Sequence, residues 1–238
     1  MDVSIVIPVF NEVENIDSLI NETSIALNDL SHEIIVVDDC SIDGTLDLLK
    51  SLKKQYSSLR IISHKQNYGQ SAAVRSGVEF SNAIWIATLD GDGQNDPADI
   101  PNLFKILLDK NKSDNKILIA GHRTTRKDTY LKKISSKYAN KIRAKILRDK
   151  APDTGCGLKL FSKNFYLSLP FFDHMHRYIP ALFIAHGGEV VSIPVNHRSR
   201  VKGSSKYGFH NRFWVGIVDI LGVRWLQNRS KIIIKKEI

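Results

Sequence analysis

Five stretches dense in valine and isoleucine recur along the first half of the chain: Val3–Val9, Glu33–Val37, Arg60–Ser63, Ala83–Leu89 and Ile117–Ala120. Between them lie longer segments whose apolar residues repeat with helical period, over Glu14–Leu30, Thr45–Tyr56, Ala72–Phe80 and Asp99–Lys110. Short apolar runs bounded by turn residues read as buried strands, and their alternation with amphipathic segments predicts successive βαβ units. The expected fold is therefore α/β, a Rossmann-like and mostly parallel central sheet flanked by helices. Asp43 and Gly44 give the second helix its entrance.

Farther along, the pattern becomes amphipathic and basic. Tyr130, Ile134, Tyr138, Ile142 and Ile146 recur every fourth residue with lysines and arginines on the other faces. A second segment, Phe209–Gln227, carries Trp214, Ile217, Ile220, Leu221 and Trp225 with Arg212, Arg224 and Arg229 near its ends. An apolar stripe edged by cations suits a helix lying in a lipid headgroup region, and packing of the stripe on the protein's own core is the alternative. The terminal Lys231–Lys236 run adds attraction to anionic lipid. Asp219 and Arg224 interrupt the most hydrophobic stretch, so no segment is predicted to span a bilayer. The chain is thus divided into an α/β domain over 1–208 and an amphipathic, basic, membrane-associating segment over 209–238.

Charge sharpens this reading. Between Gly121 and Lys150, eleven Lys and Arg stand against two Asp, so one segment carries the equivalent of the entire net charge of +9. A basic face of this kind contacts nucleic acid, anionic lipid or a phosphorylated substrate, or is a solvated helix face. Aromatic residues are not interleaved with the run beyond Tyr130 and Tyr138, which argues against a nucleic-acid stacking platform. A length of 238 residues with 42% apolar content can fill a core, and Cys40 and Cys156 form neither a CxxC nor a disulfide framework. The cysteine usage predicts a reducing, intracellular compartment, and the N-terminus lacks a signal-peptide pattern.

The chemistry concentrates at Asp90-Gly91-Asp92-Gly93-Gln94, where an apolar strand pattern turns into carboxylates separated by small residues. Acids at i and i+2 beyond a strand end can converge on one hard divalent cation, Mg2+ or Mn2+, and glycine lets the backbone approach a bound diphosphate. A polar turn closing the strand is the other reading. An EF-hand loop is excluded, because its required Gly and Glu positions hold Asn95 and Pro101. Phe10-Asn11-Glu12 and Asp38-Asp39 fall at other expected strand ends, where open sheets gather ligands. No Walker loop and no G-x-G-x-x-G follow the first strand, so a nucleotide is held in another way. Asp173-His174-Met175-His176 looks metal-like but lacks a third ligand nearby, and reads better as a helix start.

Taken in order, Pro8-Val9-Phe10-Asn11-Glu12, Val37-Asp38-Asp39-Cys40-Ser41-Ile42-Asp43-Gly44-Thr45, Asn67-Tyr68-Gly69-Gln70 and Asp90-Gly91-Asp92-Gly93-Gln94 resemble the family 2 glycosyltransferases of GT-A fold, and within them the dolichyl-phosphate mannosyltransferase branch. Gly121-His122-Arg123, Asp153-Thr154-Gly155-Cys156-Gly157-Leu158-Lys159 and the Arg200–Gly208 run agree with it. The resemblance implies transfer of a hexose, mannose by default, from a nucleotide sugar (GDP-mannose or a UDP-sugar) to a polyprenyl phosphate, with inversion. By matching positions it implies that Pro8, Phe10, Glu12, Val37 and Asp39 hold the nucleoside, that Asp90 and Asp92 bind the metal, and that Gln94 supports the site. It further implies that Arg123, Arg200, Ser205 and Lys206 contact phosphates. Phe10 stands where the family often has tyrosine, and the C-terminal transmembrane helices of many members are missing.

Such a reaction makes sense of the residues. A phosphate monoester has a second pKa of about 6, so it attacks without a dedicated base, and positioning and charge stabilisation carry the rate. Asp153 is a further candidate acid, as a sugar- or acceptor-orienting group or as a turn stabiliser. The expected setting is the inner face of the cell membrane, peripherally attached, with an integral-membrane partner compensating for the missing helices. The rival readings are the same fold with a soluble or protein-linked acceptor, and a basic nucleic-acid-binding module.

Overall fold

The computed structural model describes residues 1–110, 115–123, 143–149, 151–199 and 209–230. The chain opens with β1 (Val3–Val9), α1 (Ile16–Ala26), β2 (His32–Asp38), α2 (Thr45–Leu52), β3 (Leu59–Ser63), α3 (Gln70–Phe80), β4 (Trp85–Thr88), α4 (Ile100–Lys110) and β5 (Ile117–Arg123). A helical stretch at 143–147 (α5) precedes β6 (Lys159–Ser162), α6 (Lys163–Ser168), α7 (Ile179–Ala185), β7 (Glu189–Val195) and α8 (Phe209–Arg229). The strands form one seven-stranded sheet in the order β3-β2-β1-β4-β6-β5-β7. The β1–β2, β1–β4, β2–β3 and β5–β7 pairs are parallel, and β6 runs antiparallel to both β4 and β5.

Side-chain alternation builds a core on each face of the sheet. Ile5, Ile7, Ile34 and Val36 point toward Leu19 and Ile20 of α1, Leu49 of α2 and Leu103 and Leu107 of α4. Val6 and Ile86 point the other way, to Val74 and Val78 of α3, Tyr166 of α6, Phe183 of α7 and Val223 of α8. Gly77 makes the α3 contact possible, since a Cβ there would lie 2.4 Å from Cγ1 of Val6. The expectation of helices on both faces of a mostly parallel sheet matches this architecture.

The last helix is two-sided. Val223 is buried and Ile220 packs against the core, while Gln227 Nε2 donates to the carbonyls of Leu147 (2.8 Å) and Ala181 (3.3 Å). On the opposite face Val218, Leu221 and Trp225 are exposed at i, i+3 and i+7. Among the described residues no helix is long and apolar enough to cross a membrane. The Tyr130 stripe up to Ile142 and the terminal lysine run lie outside the described residues.

Candidate active site

The carboxyl ends of β1, β2, β4 and β5 open onto a cavity of about 680 Å³, the size that a small-molecule ligand occupies. The loops after β1 and β2 are laced together to shape its rim. Asn11 adopts φ +55° and Cys40 φ +66°, and Asn11 Oδ1 accepts from Ile42 N at 2.8 Å. Glu12 N donates to Thr45 Oγ1 at 3.0 Å and Val13 N to Asp43 Oδ2 at 3.1 Å. Burial pushes the Asp43 carboxyl up, but hydrogen bonds from Thr45 and Val13 outweigh it and hold the group below its ordinary range.

Pro8, Phe10, Glu12 and Asp39 line one end, and Asp90, Asp92, Gln94, Arg123 and Asp153 line the floor and far wall. Of the residues expected from the sequence, these nine come together. Val37 does not: it is fully buried one pleat below Asp39, where a Cβ on Gly77 would be 3.2 Å from its Cγ2. Its side chain faces α3 and fills the core, so any contact with a nucleoside would come from its backbone. Arg200, Ser205 and Lys206 lie outside the described residues.

Asp90 is held on three sides. Its carboxylate accepts from Gln70 Nε2 at 2.8 Å, its backbone N–H donates to Asn95 Oδ1 at 2.9 Å, and Gly157 closes against it. Burial, then the like charge of Asp92, raises its carboxyl to about 6, against the opposing pull of Lys159, Gln70 and Arg123. Asp92 Oδ1 accepts from Gln94 N at 3.2 Å, which folds the turn back on itself. Two carboxylates forced together in this way suit a divalent cation. Among the described residues no group of three or more His, Cys, Asp or Glu gathers as a complete metal cage. Mg2+ and Mn2+ are bound by one or two carboxylates and complete their shell with phosphate oxygens and water.

Cations face these acids. Arg123 forms a fork with Asp153, Nε to Oδ2 at 2.6 Å and Nη2 to Oδ1 at 2.8 Å. Burial lowers the guanidinium, but the Asp153 bonds and charge more than compensate and keep it above its ordinary value. Asp153 is therefore tied up as the partner of Arg123 and also accepts from Gly155 N at 3.2 Å.

Sequence reasoning assigned no role to Lys159 or Arg143 and read His176 only as part of a helix start, and all three line the cavity. Lys159 is almost wholly buried and donates to the Cys156 carbonyl, and burial lowers its ammonium despite nearby Cys156, Asp90 and Asp153. The signal for it was a lysine inside the run Leu158-Lys159-Leu160-Phe161. Arg143 is buried with Asp149 (3.1 Å) and the Ala151 carbonyl (2.7 Å). His174 and His176 diverge, because His174 takes φ +62° before a 3-10 turn at Met175–Arg177. His174 Nδ1 meets Asp219 Oδ2 of α8 at 3.1 Å, whereas His176 Nδ1 meets Ser71 Oγ at 2.8 Å. The helix-start expectation for this motif fits the 3-10 helix that begins at Met175 better than a shared metal does.

The site is thus a cavity at the strand ends of an α/β sheet, with an acidic floor and cationic walls. The model of the family described as "Glycosyl transferase family 2" matches residues 4–168, and the chain belongs to that family. It is 36% identical over 229 residues to a dodecaprenyl-phosphate galacturonate synthase of Rhizobium johnstonii, covering 94% of this chain and 66% of that protein. It is 31% identical over 209 residues to an undecaprenyl-phosphate 4-deoxy-4-formamido-L-arabinose transferase of Aeromonas hydrophila, covering 87% and 63%. The chain thus spans slightly under two thirds of each relative. In fold it is similar to a glucosyl-3-phosphoglycerate synthase of Mycobacterium tuberculosis solved with Mn2+, UDP and phosphoglyceric acid. That match has a TM-score of 0.66 and 18% identity, over 97% of this chain and 79% of the other. The GT-A expectation agrees with this likeness.

Proposed function

We propose that the chain moves a sugar from a nucleoside diphosphate donor to the phosphate of a polyprenyl lipid, with inversion at the anomeric carbon. The observation that carries this reading is the meeting of Asp90 and Asp92 with Arg123 and Lys159 around one cavity. Carboxylates alone would repel a diphosphate, and cations alone would not hold a divalent ion. The names of the two relatives narrow the acceptor to a polyprenyl phosphate.

The bond from the anomeric carbon to the diphosphate breaks with its electron pair passing to the phosphate oxygen, and a lipid phosphate oxygen bonds the opposite face of that carbon. Bound Mg2+ or Mn2+, held by Asp90 and Asp92, supplies charge neutralisation at the departing diphosphate. Arg123 is assigned to the phosphates as a planar fork held in place by Asp153, and Lys159 as a point charge. Pro8, Phe10, Glu12 and Asp39 are assigned to the nucleoside and Gln94 to support of the metal turn. Arg200, Ser205 and Lys206 keep the phosphate-binding role implied by the resemblance. At the other end Tyr178, Ile179 and Ile220 give the cavity an apolar wall beside α8, fitting a lipid acceptor. The exposed Val218, Leu221 and Trp225 face, with Arg224 and Arg229 on the same helix, is assigned to the membrane surface, on the cytoplasmic side.

The test is incubation of the purified chain with Mn2+ or Mg2+, undecaprenyl phosphate in anionic vesicles and a panel of UDP- and GDP-sugars, mannose and uronic and amino sugars included. One donor should yield a lipid-linked sugar of inverted anomeric configuration, with the Asp92→Asn chain folded and inactive. Absence of lipid product with every donor, or equal turnover on a soluble phosphate, overturns the reading. Vesicle sedimentation in the same samples reports attachment. Failure to sediment would mean that an integral-membrane partner supplies it.

A further inference from the structure

We propose that His64 is a positioning residue for nucleobase recognition, holding the Asp39 carboxylate so that one acceptor of Oδ2 stays turned to the cavity. The inference rests on the assignment of Asp39 to the nucleoside.

Asp39 follows β2 directly, and its side chain is only 4% exposed. Oδ1 accepts from Tyr68 N at 2.9 Å and meets His64 Nδ1 at 2.7 Å, while Oδ2 accepts from Gly69 N at 2.7 Å. A carboxylate oxygen has two acceptor positions, so Oδ1 is filled and Oδ2 keeps one. Asp39 lines the cavity, and His64 is not among the residues that do. His64 therefore acts on a bound base from behind Asp39.

The ring itself is fixed from behind. Its backbone N–H donates to the Asp38 carbonyl at 2.9 Å, Nε2 lies 2.9 Å from Ser76 Oγ on α3, and Tyr68 stands edge-on with centroids 5.4 Å apart. A carboxylate only accepts, so Nδ1 carries the proton. In the neutral ring Nε2 then accepts from the Ser76 hydroxyl. The chain Ser76 to His64 to Asp39 ties α3, the loop after β3 and the end of β2 into one oriented unit. An acceptor aimed this way suits the imide N–H of uracil or the lactam N–H of guanine. Cytosine and adenine present a ring-nitrogen acceptor at that position, which a carboxylate repels.

Calorimetric titration of the full chain with UDP, GDP, CDP and ADP at fixed Mn2+ tests this. The wild-type chain should favour UDP or GDP. His64→Ala should weaken the favoured nucleotide about tenfold, the size of one charge-assisted hydrogen bond, and leave CDP and ADP unchanged. His64→Asn, whose amide can replace Nδ1 at Asp39, should retain the preference. His64→Gln, whose amide reaches the Nε2 position instead, should lose it. Equal weakening of all four nucleotides, no weakening, or equal behaviour of the Asn and Gln variants overturns the proposal. Asp39→Asn separates the two levels of the inference: an unchanged base preference in that variant removes Asp39 from the nucleoside, whatever His64 does.

Discussion

Gly157 and Asp90 touch so closely that no side chain fits between them. A Cβ on Gly157 would lie 2.3 Å from both Cγ and Oδ2 of Asp90. Thr88 Oγ1 donates to the Gly157 carbonyl at 2.6 Å and fixes that backbone, while Gln70 Nε2 holds the carboxylate from the other direction. The placement of the Asp90 carboxylate, and with it the proposed metal site, thus depends on a residue with no chemistry of its own.

Gly157→Ala must push Asp90 off Gln70 or displace the entrance to β6. Overpacking of this kind costs about 1–3 kcal/mol. Turnover should fall about a hundredfold or more, because the displaced group belongs to the proposed reacting centre. Steady-state turnover together with thermal unfolding checks this, and full activity in the alanine variant would show that the Asp90 rotamer is immaterial.

Arg123 and Asp153 make a paired fork in which Nη1 takes no part. Lysine offers a point charge and cannot reproduce both bonds, so Arg123→Lys should weaken nucleoside diphosphate binding about tenfold or more. Asp153→Ala leaves a largely buried guanidinium without its counter-charge, and removal of one partner from a buried pair costs about 3 kcal/mol. Chemical denaturation should register the second effect and nucleotide titration the first. If Asp153→Ala abolished turnover with stability unchanged, Asp153 would be a reacting group and not a support for Arg123.

His176 carries a prediction in pH. Burial, then the positive charges of Arg177, Lys159 and His174, press its imidazole well below 6.5. The folded ring stays neutral while the unfolded ring takes up a proton once the pH falls below about 6.5, so the unfolded chain binds more protons. Stability contributed by His176 is present above that value and is lost on acidification, by up to about 1.4 kcal/mol per pH unit. His176→Asn keeps a hydrogen-bonding atom for Ser71 and cannot titrate. Urea midpoints of the two chains between about pH 7 and pH 5 should diverge as the solution becomes more acid, the wild type losing more.

Much of this arrangement was legible because local sequence and global fold agree. Val3–Val9 is apolar apart from Ser4 and is β1 to the residue, and the acids that follow the runs ending at Val9, Val37 and Leu89 fall at strand ends, where the cavity forms. The later strands were opaque for a physical reason. β6 is four residues long and begins with Lys159, whose charge is balanced by Asp90 and by the Cys156 carbonyl, contacts that exist only after folding. β7 is an edge strand that buries only Ile193 and Val195 and includes Pro194, so it lacks the continuous apolar run of a central strand. Val37 and Asp39 share a strand face by spacing. Only the packing of Gly77 against Val37 reveals that the first side chain fills the core, while the second lines the cavity.

Asp90 should make the metal-free chain less stable than it could be. Burial and the charge of Asp92 raise its carboxyl from 3.8 to about 6. Between those values the folded chain holds a proton that the unfolded chain has released. The favourable contribution is therefore complete below about 3.8 and is lost as the pH rises through about 6. At neutral pH the metal-free protein is destabilised by about 1–3 kcal/mol at this one position. Asp90→Asn removes the charge while its amide oxygen can still accept from Gln70. In the presence of EDTA at about pH 7.5 the variant should unfold at a higher temperature than the wild type, and the advantage should vanish below about pH 4. Adding Mn2+ with a nucleoside diphosphate should reverse the order, because binding stabilises only a chain that can hold the ion. Turnover of the variant should be lost throughout. A variant less stable than the wild type in EDTA would mean that Asp90 contributes to folding, and that its like-charge contact with Asp92 is already relieved without a cation.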